Sequence, residues 1–564
     1  MGWLKQHLQE SEQQDVGTLH KLGYKQELSR QLSMFHNFAT TFSFLSPITG
    51  LTGTYAFLYT YGGPVSAIWG WCLVVCFNFM IGLILSEICS AYPTSGGVYY
   101  WAHKLGSPRT RNVLSFVCGW FNVLGQLGSS AGVAYTTAWL ITDFIRLGTG
   151  GAAGAAAGVA ISQPMLLAVY AAVLILIGLI NTVTVRALGM VGEISIWWHV
   201  IGCTTFVIML PAVAPTHQTA EWVFTTFAPD KAYTGIDSMP MLFILSLLGC
   251  QWAMVGYDAA SHLTEETHAA AVSGPVSILA TIGMGFLLGI SFLPSSHSSS
   301  LLSACPVSIL ATIGMGFLLG ISFLLSVTFS IQDPANVLSV DNAVGGSNPV
   351  MGIAWDAFAA RFGNGLGSLG LMTVPLLCSM FCGNACVTST SRTLYAFSRD
   401  GAVPLSRWWS KVNPRFEAPV NAVWCVVLLC FILGLPMLHS YVAFAAITSI
   451  GVVGLYSSYL ICISLRLLAR EEDFPRGPFH LGRWSKLVAG IALTWACIAI
   501  IMFILPQVYP VTAASLNYAP VAVGLVLVVS LGWWFADARK WFTGPRKTVE
   551  EEEDGQVEAA KAVL

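Results

Sequence analysis

The chain has 564 residues, of which 55% are hydrophobic and only 10% are charged. Soluble globular proteins carry about 25% charged residues, so this composition excludes an ordinary soluble protein. The mean hydropathy of +0.69 indicates instead a bundle of helices that faces lipid. With 26 Lys and Arg against 28 Asp and Glu, the chain has no basic excess with which to bind nucleic acid.

Twelve segments are long and apolar enough to cross a membrane, for which a helix needs about 20 mostly apolar residues. The six in the first half are residues 36–60, 65–90, 112–145, 164–182, 190–213 and 237–258. The six in the second half are residues 306–330, 365–390, 418–437, 440–465, 485–505 and 517–536. The first 34 residues are polar and lack the apolar core of a signal peptide. We predict an all-α integral membrane protein with a tail over 1–34, a transmembrane domain over 35–538 and a second tail over 539–564.

One segment occurs twice without change. The sequence PVSILATIGMGFLLGISFL covers residues 275–293 and again residues 306–324. Because diverged internal repeats do not stay identical over 19 residues, the pattern indicates a recent duplication, or a splicing or gene-model error that inserts residues near 275–305. We expect one copy to be displaced from the bundle or absent from the natural transcript.

The positive charges test this topology, because cytoplasmic loops of membrane proteins are enriched in Lys and Arg. If only one copy crosses the membrane, 23 of the 26 Lys and Arg residues fall on the same side. If both copies crossed, the 15 positive residues after them would move to the opposite side. We therefore predict twelve effective crossings with both termini in the cytoplasm.

Two predicted spans carry residues that interrupt a helix. The first contains SPITGLTG at residues 46–53, and the sixth contains WAMVGYD at residues 252–258. Paired breaks at matching positions of two halves are typical of a transporter site, where free amides attract a carboxylate and free carbonyls attract an ammonium group. The five-span offset predicts two inverted five-helix repeats followed by two extra spans. The alternative is an ordinary proline kink at Pro47 and a close helix contact at Gly256.

Four motifs resemble those of a known family. SAYPTSGGVYYW at residues 90–101 and SRTLYAFSRDGAVP at residues 391–404 are similar to two signatures of the amino acid, polyamine and organocation transporter superfamily. GYDAASHLTEET in span six and FPRGPFHLGRWS before span eleven resemble its amino acid and choline branch. The resemblance is strongest to plant and algal bidirectional amino acid transporters, also called GABA permeases, and covers about residues 25–540 apart from the duplicated segment.

This resemblance implies a leucine-transporter-type fold that works by alternating access around a site at the middle of the membrane. It implies that an unwound part of span one holds the carboxylate and amine of the substrate, with these residues as candidates: Ser46, Thr49, Gly50, Thr52 and Gly53. In span six it implies an aromatic lid, for which Trp252 and Tyr257 are candidates, and backbone contacts from Val255 and Gly256.

Ionisable residues inside spans are functional hypotheses by default. Glu87 lies near Arg109 and Arg111 in sequence, which favours an ion pair, structural or gating, over coupling. Asp258 either caps the outgoing half of span six or closes an inner gate. His199 is either a core histidine that donates to a carbonyl or a carrier of a coupling proton.

Several charges follow spans six and eight. Arg392, Arg399 and Asp400 are candidates for ion pairs that hold one access state, with positive-inside anchoring as the alternative. We interpret Glu265 and Glu266 as loop charges that meet basic cytoplasmic turns, and we assign no special role to His262.

The predicted function is secondary active or exchange transport of amino acids or GABA. Choline or polyamine transport, and a sensor that moves no substrate, are the alternatives. The eleven histidines are scattered without an HxxxH pair, and no GxxxxGK[ST] loop is present, so we expect neither an enzyme nor an ATP-driven pump. We expect no cofactor and no metal, a small-molecule substrate with protons as a candidate second ligand, and the lipid bilayer as surroundings. The plasma membrane is the default location, with an organelle membrane as the alternative.

Overall fold

A computed structural model describes residues 32–150, 161–267, 301–438, 443–512 and 515–546. Before the duplicated segment the helices are α1 Met34–Leu45, α2 Pro47–Gly62, α3 Pro64–Ala91, α4 Gly97–Leu105, α5 Arg111–Gly148, α6 Gln163–Asn181, α7 Val185–Val213, α8 Ala220–Thr225, α9 Lys231–Thr234, α10 Met239–Ser246, α11 Leu248–Trp252 and α12 Ala259–His262. The later helices are α13 Leu301–Phe329, α14 Pro349–Phe362, α15 Gly367–Arg399, α16 Ser406–Trp409, α17 Val420–Gly434, α18 Ala443–Leu468, α19 Ser485–Ile504 and α20 Ala519–Ala536.

Eight helices in the described ranges are long and apolar enough to cross a membrane. They are the helices that correspond to predicted spans two, four, five, seven, eight, ten, eleven and twelve. The first and sixth predicted spans are each divided into shorter helices, and α17 has only 15 residues. The prediction of an all-α membrane protein is confirmed, and the count of twelve crossings stays a prediction.

Apolar side chains on the outer helices have no protein partner to cover them. Val521, Leu525 and Val528 on α20 are each more than 60% exposed, and Ile201 and Ile208 on α7 are 62% exposed. Exposed side chains of this kind on long helices are typical of a surface that faces lipid.

The middle of the bundle is built where α5 and α18 cross at close range. A Cβ atom on Gly128 would come within 2.8 Å of Gly451, and Gly125 lies against Gly454 in the same way. Small residues let two helix backbones approach this closely inside a membrane. The contact brings the middle of α5 next to both broken spans.

The second copy of the duplicated sequence forms most of α13, which packs against α1, α3 and α7. The indole nitrogen of Trp71 on α3 donates to the carbonyl oxygen of Phe317 at 3.1 Å, and Gly320 lies directly against the same indole ring. The first copy, residues 275–293, lies outside the described residues. The second copy therefore fills one position in the bundle.

The two copies allow a matched test, because Gly289 and Gly320 are equivalent residues in identical sequences. We expect Gly320→Leu to destabilise the protein by about 1–3 kcal/mol, since the added side chain overlaps Trp71 in a close-packed core. Gly289→Leu is expected to leave stability unchanged. The measurement is the thermal midpoint of each purified variant in detergent. Equal losses of stability in both variants would show that both copies pack in the bundle.

Candidate functional site

The first predicted span is broken at a single residue. α1 ends at Leu45, Ser46 adopts a left-handed conformation with φ of 30°, and α2 begins at Pro47. Proline is favoured at the first position of a helix because its φ is already helical and it has no N–H group to satisfy. No side chain among the described residues caps the N-terminus of α2, so its first amide groups stay free to bind a ligand.

This break is shorter than the resemblance implied. Thr49, Gly50, Thr52 and Gly53 lie inside helix α2, because Pro47 restarts the helix at once. Gly50 contacts Ala253 and Gly53 contacts Thr136, and such small residues allow neighbouring backbones to approach. The expectation of an unwound stretch over residues 46–53 is therefore wrong, and the free backbone groups are confined to the start of α2.

His199 on α7 is bound directly to the break. Its Nδ1 lies 2.8 Å from the carbonyl oxygen of Ser195, which can only accept, so Nδ1 carries a proton. In the neutral ring Nε2 is then an acceptor, and it lies 2.7 Å from the Ser46 hydroxyl. Ser46 in turn lies 2.6 Å from the Thr49 hydroxyl. This arrangement matches a core histidine that donates to a carbonyl, and it also links His199 to the first turn of α2.

The sixth predicted span is broken over six residues. α11 ends at Trp252, residues 253–258 are not helical, and α12 begins at Ala259. Gly256 has a φ of +87°, a conformation that residues with a side chain rarely adopt. The carbonyl groups of residues 252–255 accept no hydrogen bond from any described residue. They are therefore available to a donor such as an ammonium group.

The two breaks pack against each other. A Cβ atom on Gly256 would overlap the ring of Phe44, which lies two residues before the first break. A Cβ atom on Gly50 would come within 2.6 Å of Ala253. A small cavity lies between the breaks and the middle parts of α5 and α15, lined by Phe44, Leu45, Thr49, Gly50, Ser129, Val133, Trp252, Val255, Cys382 and Cys386.

Four of the predicted substrate residues line this cavity, namely Thr49, Gly50, Trp252 and Val255. The Trp252 ring is 5% exposed and covers Gly132 and Gly451. The lining contributed by α5 and α15 was not identified from the sequence, because a serine, a valine and two cysteines at helical spacing look like ordinary packing residues.

Tyr257 does not line the cavity, although it was a candidate for the lid. Its hydroxyl donates instead to Oδ1 of Asn78 at 3.2 Å, and neither residue is among those that line the cavity. Asn78 also donates to Oε1 of Gln251 at 3.2 Å and contacts the hydroxyl of Tyr456. Tyr257 thus belongs to a buried polar cluster that joins α3, span six and α18.

Asp258 lies in a second buried cluster just beyond the break. Tyr459 donates to its Oδ1 at 2.5 Å, Asn122 donates to its Oδ2 at 3.2 Å, and His262 Nε2 lies 3.4 Å from Oδ2. Its side chain makes no capping hydrogen bond to α12, so the structure does not support the capping alternative. His262, for which the sequence analysis assigned no special role, is fully buried in this cluster.

A layer of ion pairs closes the bundle at the end where α15 finishes. Arg392 Nε lies 3.0 Å from Glu266, and Arg399 lies 2.9 Å from Glu265. Ser95 in the loop after α3 also donates its hydroxyl to Glu265 at 2.6 Å. Both glutamates meet basic residues as expected, but their side chains are only 1% exposed. Interpreting them as loop charges was wrong, because residues 263–267, which directly follow α12, are buried.

Asp400 joins the same layer through other partners. The Tyr99 hydroxyl donates to Oδ2 of Asp400 at 2.8 Å, and the backbone N–H of Arg546 donates to Oδ1 at 3.2 Å. All three candidates after span eight, Arg392, Arg399 and Asp400, are therefore engaged at one end of the bundle.

Glu87 pairs with Arg466, whose Nε lies 3.3 Å away, and it also accepts from the Ser485 hydroxyl at 2.5 Å. The expected pairing with Arg109 or Arg111 is wrong, because nearness in sequence does not decide which helix ends meet. Arg466 also binds Glu471 at 3.1 Å, and this hydrogen bond holds the pKa of the Glu471 carboxyl below its usual range. The pairing fixes the loop before α19 to the end of α3.

The cavity lining contains no charged side chain, but backbone groups of both polarities lie beside it. The N-terminus of α2 carries a partial positive charge, and the carbonyls of residues 252–255 carry partial negative charges. The hydroxyls of Thr49 and Ser129 add hydrogen-bonding groups, and the thiols and Phe44 add apolar surface.

Comparison with known proteins agrees with this architecture. The profile of a family described as Amino acid permease matches residues 35–303 and 294–528. The Amino-acid permease BAT1 of Arabidopsis thaliana is 40% identical over 527 residues, which cover 93% of this chain and 95% of that protein. An Amino-acid permease BAT1 homolog of Oryza sativa subsp. japonica is 38% identical, over 93% and 94% of the two chains. A Choline transporter of Saccharomyces cerevisiae is 26% identical, over 88% and 79%.

The two matches overlap at residues 294–303, so each includes one copy of the duplicated sequence, and together they cover both helix breaks and the layer of ion pairs. The chain is therefore an integral multi-pass membrane protein that belongs to the amino acid permease family.

Proposed function

We propose that this permease is a secondary transporter that carries amino acids, or related amines such as GABA, by alternating access. The observation that carries the proposal is the contact between the two helix breaks, Phe44 against Gly256 and Gly50 against Ala253, beside a cavity. Broken helices are tolerated in a membrane only where protein or a water-filled cavity satisfies their backbone groups. A substrate that binds to both breaks supplies hydrogen-bond partners for these backbone groups.

In this proposal the carboxylate of the substrate binds at the start of α2, near the hydroxyl of Thr49. The ammonium group binds the free carbonyls of residues 252–255, and Trp252 covers the site from one side. Four other candidates do not line the cavity and instead determine the shape of the two breaks, namely Ser46, Thr52, Gly53 and Gly256.

The ion-paired end of the bundle is the cytoplasmic gate in this proposal, with both chain termini in the cytoplasm. The two inverted five-helix repeats of the leucine-transporter-type fold would then comprise predicted spans one to five and six to ten, with α19 and α20 outside them. Because Arg392, Arg399 and Asp400 all have partners, the gate is closed in this conformation. We place the transporter in the plasma membrane.

Choline is the second candidate substrate, because the similarity extends to a choline transporter of Saccharomyces cerevisiae. A quaternary ammonium group has no N–H to donate, so it would bind against the face of Trp252 rather than to the carbonyls. The two substrate classes therefore use different parts of the same cavity.

Counterflow in proteoliposomes tests the function directly. Vesicles are loaded with an unlabelled candidate, and the uptake of labelled alanine, glutamate, arginine, GABA or choline is followed. We expect accumulation of a labelled amino acid or GABA above the level in protein-free vesicles. Accumulation of choline alone would identify the second candidate, and no accumulation by folded protein would leave a sensor as the better explanation.

The second break offers a matched pair of glycines. Gly256 and Gly363 both have positive φ, but only Gly256 has neighbours where a Cβ would lie. Each alanine variant has about 1–2 kcal/mol of backbone strain, and Gly256→Ala adds an overlap with Phe44. We expect Gly256→Ala to slow counterflow about tenfold or more, and Gly363→Ala to transport normally. Equal rates in the two variants would contradict a substrate site at the breaks.

His199 is our candidate for proton coupling, because it binds Ser46 at the first break. Histidine is the side chain whose ordinary pKa lies closest to physiological pH, and a proton on Nε2 would force the Ser46 hydroxyl to turn away. We expect His199→Gln to flatten the dependence of transport on pH, while His217→Gln, at an exposed position, should keep it. An unchanged pH profile in His199→Gln would assign this residue to packing alone.

A further inference from the structure

Asp258 and His262 form a buried pair, and Nε2 of His262 has no hydrogen-bond partner among the described residues. The two side chains lie one helical turn apart, both are fully buried, and Nε2 of His262 is 3.4 Å from Oδ2 of Asp258. The other donors to Asp258 are the neutral groups of Tyr459 and Asn122. Among the residues that the structure describes, no Lys or Arg pairs with Asp258.

The orientation of the histidine ring fixes where its first proton lies. Nδ1 of His262 is 3.0 Å from the carbonyl oxygen of Ser95, which can only accept a hydrogen bond, so Nδ1 is protonated. In a neutral ring the lone pair of Nε2 would then face the lone pairs of the Asp258 carboxylate. Two acceptors that face each other in a dry site are destabilising, and a carboxylate without a counter-charge is costly to bury.

We propose that Asp258 and His262 together bind one proton, which holds the cytoplasmic gate closed. The inference rests on the proposed transport function, because it assigns a ligand to the gate of that transporter. With the proton bound, the pair is either imidazolium with carboxylate or imidazole with carboxylic acid, and in either form the two groups attract each other. Without it, the two groups repel each other.

The proton would act on four parts of the bundle at once. Asn122 belongs to α5 and Tyr459 to α18, while Ser95 belongs to the loop between α3 and α4. Asp258 directly precedes α12, and His262 is the last residue of that helix. Loss of the proton therefore weakens the contacts that join α12 to these three neighbours.

Other titratable groups face this cluster but already have their protons or partners. They are Tyr257, Tyr459, Cys118, Cys305, Cys462 and Glu265. Phenols and thiols keep their protons near neutral pH, and Glu265 is paired with Arg399. The proton site is also separate from His199, which lies on α7 at the first break.

The sign of the effect on transport follows from this placement. A proton that stabilises the closed gate must leave before the gate opens, so opening to the cytoplasm should become faster as the pH on that side rises. Release of a single proton limits the dependence to about tenfold per pH unit.

Infrared difference spectra of the full-length protein in lipid nanodiscs, taken between acidic and alkaline buffer, test the site without any need for transport. We expect one titrating carboxyl and imidazole signal, which is lost in Asp258→Asn and equally lost in His262→Gln because the two groups share one proton. Asp258→Glu and Tyr459→Phe should keep the signal, since both retain an acid beside the histidine. Two independent signals, or no change in either single variant, would overturn the proposal.

Counterflow of the same variants supplies the functional readout. Asp258→Asn is expected to lose the acceleration at high cytoplasmic pH, whereas His217→Gln should retain it. A pH response of Asp258→Asn equal to that of the unmodified protein would also overturn the proposal. If the unmodified protein shows no counterflow, the transport function fails, while the infrared result still decides whether the pair binds a proton.

Discussion

The constraint on which this structure depends is that backbone amide and carbonyl groups cannot be left unpaired in hydrocarbon. Two spans interrupt the helical hydrogen bonding that would pair these groups, one at Ser46 and one over residues 253–258. Each break is tolerated because the two breaks face each other rather than lipid, with Phe44 against Gly256. The close crossing of α5 and α18, the fit of Trp252 over Gly132, and the cavity itself all follow from enclosing these breaks in protein.

Charge is segregated from this centre. The cavity lining contains hydroxyls, thiols and apolar groups, whereas the buried ion pairs of Arg392, Arg399 and Arg466 lie together at one end of the bundle. Buried ion pairs contribute little net stability once their desolvation is counted, but breaking one by removing its partner is costly. These ion pairs can therefore favour one conformation over others while contributing little to the overall stability of the fold.

The sequence predicted the positions of helices well, because apolar runs about 20 residues long have one dominant explanation. It also located both breaks, since Pro47 and Gly256 have strong local effects on the backbone. It failed where tertiary contacts decide. Glu87 pairs with Arg466, 379 residues away, rather than with its sequence neighbours. The cavity lining from α5 and α15 gave no local signal, and neither did the role of His262 beside Ser95.

The sixth span joins the cavity to the proposed gate through a very short piece of chain. Trp252 and Val255 line the cavity, and Asp258 and His262 lie only three and seven residues beyond Val255. The intervening residues are not helical, and α12 is only four residues long. In the proposed mechanism, a substrate that binds the carbonyls of residues 252–255 therefore acts on the same segment that carries the proposed gate. In the proposed mechanism, substrate binding and the state of the Asp258 and His262 pair are linked by covalent structure, with no need for a long path through the bundle.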